Sequence, residues 1–221
     1  MNTENMAMIK LSKASKMPAK SWSLQARKTC PGSIDPVTKA PVEVCAGCYA
    51  AEGFYQMPDA IALREHNRED WKRGEWVDDM VKELKRQKFF RWFDSGDVYH
   101  PALAFKIFLV MQKTPHVQHW LPTKSYKVPR IRAILERMKA LPNAAVRYSS
   151  DFINGAFDHK EHGSTVVPFA DSETEASKVC DAYERGGKCG DCRACWSKDV
   201  AVVAYPAHGR RMGKIMKGMA A

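Results

Sequence analysis

Between Cys48 and Cys180 the chain contains no cysteine. It also lacks any apolar run long enough to span a bilayer; the longest candidate, around Phe105 to Met111, is far too short. The opening MNTENMAMIKLSK has none of the apolar stretch of a secretory signal. A cytoplasmic location is therefore expected, where thiols stay reduced and disulfides are rare. No P-loop, dinucleotide fingerprint or Ser-His-Asp order is visible. There is no internal repeat and no low-complexity linker. Nucleotide cradles, triad hydrolases, repeat scaffolds and membrane spans are set aside by these absences.

What is present is concentrated. The seven cysteines form two tight groups: Cys30, Cys45 and Cys48, spaced C-x14-C-x2-C, and Cys180, Cys189, Cys192 and Cys195, spaced C-x8-C-x2-C-x2-C. An odd total leaves one thiol over in any closed disulfide set. Three plus four is instead the count for two metal centres, one with an open coordination position and one fully ligated. At 221 residues the chain can bury a core without staples. Its formal charge of +10 points to an anionic partner: nucleic acid, a nucleotide or a phosphorylated cofactor. Scattered Lys and Arg that merely keep the protein soluble are the equal alternative.

The hydrophobic pattern predicts helices over 59–73, Trp76–Gln87, Ala102–Lys113 and Val128–Ala140. It predicts strands at Met8–Leu11, Phe89–Phe93, Val117–Leu121, Ala144–Tyr148, Thr165–Phe169 and Val200–Tyr205. Strand and helix alternate, so an α/β fold is expected, a partial (β/α) barrel or an open parallel sheet. Residues 1–175 would form that barrel and carry the first cysteine group. Residues 176–221 would be a cysteine-rich segment that returns a last strand to the sheet. Ligands of such folds sit beyond the carboxyl ends of the strands. That rule selects four loops: Asp94–Asp97, Pro122–Tyr126, Ser149–Asn154 and Pro206–Arg211.

In the second group, C-x2-C-x2-C lets one loop wrap a cubane and offer successive thiolates to different irons, with Cys180 as the fourth. Gly186, Gly187 and Gly190 allow the tight turn, and Lys188 and Arg193 would offset negative charge. Zinc is the alternative metal, although it prefers separated pairs. The first group has three readings. It is a zinc site completed by His66 or His100, a [4Fe–4S] cluster with one iron open to a chelating ligand, or a redox pair at Cys45 and Cys48 with Cys30 apart. The amino and carboxylate groups of S-adenosylmethionine would suit an open iron.

Cys45-Ala46-Gly47-Cys48-Tyr49-Ala50 resembles the latter part of the cysteine signature of radical S-adenosylmethionine enzymes, and the α/β alternation is similar to their partial barrel. The usual signature is C-x3-C-x2-C; here a Pro/Gly loop of fourteen residues would bring Cys30 back. Asp94-Ser95-Gly96-Asp97 resembles the loop that holds the methionine amino group. Taken with Thr29-Cys30-Pro31-Gly32-Ser33, Leu121-Pro122-Thr123-Lys124-Ser125 and the cysteine-rich tail, the whole chain is similar to a family found in bacteriophages and bacteria. The resemblance implies two [4Fe–4S] clusters, S-adenosylmethionine, an external electron donor and an enzyme acting on a nucleotide, nucleic acid or other anionic substrate. A zinc or iron–sulfur nucleic-acid-binding protein without catalysis is the rival expectation.

Asp97 would hold the cofactor amine or act as a base, unless it is only a helix cap. Lys124 is the second catalytic candidate. Ser95, Gly96, Ser125 and Ser149 would line the cofactor, and Tyr148, His208 and Arg210 the substrate. His116 and His119, three apart in a predicted strand, make a poor metal pair.

Overall fold

The computed structural model describes residues 9–219. Its centre is an eight-stranded, mostly parallel sheet in the order β1-β2-β3-β4-β5-β6-β8-β7. The strands are β1 (Ser12–Lys13), β2 (Lys20–Trp22), β3 (Phe89–Trp92), β4 (Gln118–Thr123), β5 (Ala144–Ser149), β6 (Gly163–Val167), β7 (Lys178–Val179) and β8 (Val202–Pro206). Among the described strands only the short β1–β2 pair is antiparallel. From β2 to β6 each strand lies beside its predecessor, so the order never reverses as it does in a doubly wound sheet. The longest ladders run from His119↔Ala144 to Thr123↔Tyr148 and from Gly163↔Val202 to Val167↔Pro206.

The helices are α1 (Glu43–Ala46), α2 (Pro58–Asp70), α3 (Trp76–Leu84), α4 (Pro101–Lys113), α5 (Pro129–Lys139) and α6 (Arg210–Met219). Pro58, Pro101 and Pro129 open their helices, where the missing N–H leaves nothing unsatisfied. Alternation along the strands sorts two faces. Trp22, Phe90, Trp92, Leu121, Val146 and Tyr148 join the apolar stripes of α3, α4 and α5 in one core. Trp22 meets Trp76 and Trp92 edge to face at centroid separations of 5.4 and 6.2 Å. Such pairs add roughly 0.5–1.5 kcal/mol each beyond burial. The intervening residues Phe89, Trp120 and Tyr205 pack the other face against Met17, Ala19, Trp196, Cys189 and Cys195. The cysteine-rich segment thus covers the sheet opposite the helices.

Several expectations are corrected. Of the proposed strand Met8–Leu11, Met8 lies outside the described residues, and the chain pairs only from Ser12. The strand expected at Thr165–Phe169 is Gly163–Val167, and Phe169 is 65% exposed. Helix α2 does not bury an apolar stripe: its buried residues are Arg64, Asn67 and Asp70, which bond to the loops beneath. β7 and α6 were not expected. β7 is only two residues long, and Gly213 and Gly218 obscure α6 as a helix.

Candidate metal centres

After β2 the chain is fastened to the loop that follows β3. Leu24 N donates to Ser95 O at 3.1 Å, Asp94 N to Ser23 Oγ at 3.0 Å and Asp97 N to Thr29 O at 3.1 Å. Gly96 is what permits the close approach. Its φ is +74°, and a Cβ there would lie 2.7 Å from Leu24 and Thr29 atoms. Arg27 also adopts a left-handed φ of +68°, a strained conformation for a residue with a side chain, just before Cys30.

The fourteen-residue loop then folds back on itself. Ile34 bridges Pro41, and Val42 N donates to Ser33 O at 2.9 Å. Gly32 passes directly beneath β4's loop, where an added Cβ would stand 2.1 Å from Lys124 O. Lys127 Nζ donates to Gly32 O at 3.1 Å. The return places Cys30 beside Cys45 and Cys48. The three line one pocket of about 100 Å³ with Arg27, Ile34 and Pro41.

Electrostatics at this pocket are set by burial. Desolvation pushes the Cys30 thiol far up, and the charges of Asp97, Cys45 and Cys48 add to it. Cys45 is pushed up to about 11 by burial, with Lys124 offsetting part of the effect. Each of these thiols would need a bound cation to become a thiolate ligand at neutral pH. The Arg27 guanidinium has no hydrogen-bond or carboxylate partner among the described residues.

The second group is a compact unit on the sheet's other face. Cys189 N donates to Lys16 O at 2.9 Å and Cys192 N to Cys189 O at 3.1 Å. The charges of Cys180 and Cys192 both reach Cys189, and that of Cys180 reaches Cys195. Burial pushes Cys195 up to about 11, against the pull of the Tyr205 hydroxyl at 3.2 Å and of Arg147 and Arg91. Arg147 is fully buried and makes no ion pair with a carboxylate among the described residues. Its fork instead donates to the carbonyls of Gly163, Ala194, Cys195, Ser197, Val200 and Ala201. Arg91 lies 4.4 Å over the Trp120 ring, with its Nε buried and unpartnered.

Among the described residues, no three His, Cys, Asp or Glu side chains are gathered as a single ion's ligands. A zinc ion with Zn–S near 2.3 Å would draw its sulfurs to within about 3.8 Å of one another. A cubane spreads its thiolates over different irons and holds them further apart.

The profile of a phage-type family, Gene product 88, matches residues 2–198. The chain belongs to the Gene product 88 family. No curated protein and no solved structure matches it.

Across the structure the expected site residues separate into two sets. Lys124 stands beside Cys45, where its Nζ donates to Ser150 O and its backbone N–H to Asp97 Oδ2 at 2.8 Å. Burial pushes the Lys124 ammonium down from its ordinary value. Asp97 lies behind Cys30; its Oδ1 accepts from Thr123 Oγ1 and Val98 N, both at 2.7 Å. Its carboxyl is pushed up by burial, against those hydrogen bonds. It is not the cap of α4, a role taken by His100, whose Nδ1 accepts from Ala102 N at 3.1 Å. His208 stacks on Tyr49, next to Cys48, at 5.7 Å. Arg210, which opens α6, is exposed.

The other candidates turn into the protein. Ser95 Oγ donates to Leu24 O at 2.8 Å and accepts from Arg64 Nε at 2.6 Å. Gly96 serves the loop contact, and Ser125 is buried behind Thr123. Ser149 Oγ accepts from Ser164 Oγ at 3.1 Å. Tyr148 points to the helix face, where its hydroxyl donates to Glu136 at 2.8 Å. His119 is a core residue, pushed down to about 3 by burial and bonded to Thr114 and Trp92. The sequence reading missed Arg27 and Arg147. Arg27 carried a weak signal as a basic residue close before Cys30. Arg147 carried no signal beyond its place in the strand expected at Ala144–Tyr148.

Proposed function

We propose that this protein is an iron–sulfur enzyme resembling radical S-adenosylmethionine enzymes. Cys30, Cys45 and Cys48 would hold an open [4Fe–4S] cluster, and Cys180, Cys189, Cys192 and Cys195 a second, auxiliary one. The observation that carries this is the convergence of Cys30, across fourteen residues, on the same pocket as Cys45 and Cys48. Sequential strand order, with the first cysteine loop following the carboxyl end of β2, supports a partial barrel wall.

The donor set fits anionic centres. Among the described residues Arg147 sits buried with no carboxylate partner, and Arg91 presents an unpartnered Nε toward Cys195. A buried guanidinium is expensive unless anions surround it, and a centre with four thiolates supplies that negative charge. At the first pocket Lys124 faces Cys45, and Arg27, which has no side-chain partner among the described residues, would receive the carboxylate of a bound S-adenosylmethionine. Bound there, an open cluster would supply one-electron chemistry, drawing on an external electron donor. Asp97 holds the β4 loop and the Cys30 segment in register, so its role is to position rather than to touch substrate.

The test is anaerobic purification, counting of iron and acid-labile sulfide, and an assay for 5′-deoxyadenosine formed from S-adenosylmethionine with a chemical reductant. Iron and sulfide at both groups with 5′-deoxyadenosine supports the reading. Iron at both without cofactor cleavage removes the radical step, and zinc without iron replaces the reading with that of a zinc protein.

A further inference from the structure

Helix α6 is fastened across the first cysteine loop. Met212 is buried against Gly47, Arg211 N donates to Glu52 Oε1 at 2.9 Å, and Arg211 Nε donates to Ala46 O at 3.1 Å. From Val200 onward the sequence has no Asp or Glu, but it has Arg210, Arg211, Lys214 and Lys217. Arg210, Lys214 and Lys217 are exposed and have no carboxylate partner among the described residues. Immediately before the helix, His208 lies between two rings, Tyr49 at 5.7 Å and Tyr183 at 5.4 Å. Tyr183 is 46% exposed, and the Lys16 ammonium stands 4.8 Å over its ring. On the other side of the helix start, two residues beyond Glu52, Phe54 is 76% exposed. Glu184 and Asp191 are the nearby acids in sequence; Asp181 is already paired with Lys178 and Arg185.

We propose that this face binds single-stranded nucleic acid, with phosphates along Arg210, Lys214 and Lys217 and an unpaired base against Tyr183. Exposed rings beside unpaired cations are how proteins hold a single strand: each base offers a stacking face and each phosphate a charge. A duplex hides its bases from such a ring. An anionic membrane would need the apolar side of α6, and Met212 on that side is already buried against the cysteine loop. The helix lies over Ala46 to Ala51, the segment that carries Cys48, so a bound strand would run beside the three-cysteine pocket. Binding needs no metal; that the strand is the substrate of that pocket rests on the reading in the previous subsection.

The experiment is fluorescence anisotropy of a short labelled oligothymidylate with the full-length protein over a salt series. Binding at low salt is expected, with a log–log salt slope that falls by about 2 in an R210Q/K214Q/K217Q variant, at roughly 0.7 for each phosphate no longer neutralised. Tyr183→Ala is expected to weaken binding about tenfold at every salt concentration, as removal of one base–ring stack does. No binding at low salt, or wild-type binding by both variants, overturns the proposal. So does equal competition by duplex, or displacement of the strand by phosphatidylserine vesicles. Iron and sulfide are counted on the same preparation. Binding without iron sinks the iron–sulfur reading and leaves this one; iron without binding does the reverse.

Discussion

Arg147 on β5 donates from its Nε to the Cys195 carbonyl at 3.0 Å. With its other bonds, that contact lets one side chain hold the cysteine-rich segment against the sheet. Arg147→Leu would leave several buried carbonyls without a donor, each costing about 1–3 kcal/mol. We expect a loss of at least ~3 kcal/mol in urea unfolding, together with loss of any metal from the second group. Arg147→Lys keeps the charge but not the planar fork, so it should recover only part of the stability. Unfolding midpoints of the three proteins check this, and equal midpoints would refute it.

Two glycines at the first pocket should behave differently. A Cβ at Gly32 meets the Lys124 backbone at 2.1 Å, and neither chain can yield without moving Cys30 or β4's loop. Gly32→Ala is expected to destabilise by more than ~2 kcal/mol and to abolish metal at the first group. A Cβ at Gly47 meets chiefly the flexible end of Met212, at 2.7 Å. Gly47→Ala should cost about 1 kcal/mol or less and keep the metal, with α6 shifted. Thermal melts and metal counts on both variants separate the cases.

The two cysteine groups occupy different parts of the sheet, so on the iron–sulfur proposal their metals should be lost independently. Cys45→Ala is expected to remove about half of the iron and all cofactor cleavage. Cys192→Ala should remove the other half and leave the first cluster's spectrum in place. Iron content and electron paramagnetic resonance of the reduced proteins report the outcome. Loss of all iron from either single variant would show one shared centre instead of two.

His119 supplies a pH dependence in the core on the helix side of the sheet, where it bonds to Trp92 and Thr114. Burial holds its folded value down at about 3, below the ordinary 6.5. The unfolded chain therefore binds the extra proton first. The stability due to neutral His119 is complete above pH 6.5 and is lost as pH falls toward 3. Between pH 7 and pH 5 this amounts to about 2 kcal/mol, at roughly 1.36 kcal/mol per pH unit. Urea unfolding at the two pH values should show a difference in the wild type that includes this contribution, beside those of His159, His162 and His208, whose imidazoles burial also holds down. It should shrink in His119→Asn, whatever that variant's absolute stability; an unchanged difference would count against the assignment.

Much of the fold was legible because periodicity reports which face of an element is buried. Val77, Met80 and Leu84 in α3, and Ile131, Leu135 and Met138 in α5, recur at helical spacing and pack where that spacing aims them. Helix α2 shows where periodicity misleads. Its buried positions are polar because they answer loop groups, such as the Ser23 carbonyl and Ser95 hydroxyl, brought there from distant sequence. The roles of Ser95 and Tyr148 failed to declare themselves for the same reason. A hydroxyl's partner is chosen by the element packed against it.

The chain's own chemistry was enough to divide the cysteines into two groups, to require an α/β sheet and to point at the loops after the strands. Those are local properties: spacing, periodicity and the conformations that Pro and Gly permit. Only packing in three dimensions decided that Cys30 comes home to Cys45, that the buried Arg147 and the half-buried Arg91 stand by the second group, and that α6 lies across the first. Each of these joins residues distant in the chain, and their proximity depends on what the whole sheet brings together, which no short stretch of sequence can specify.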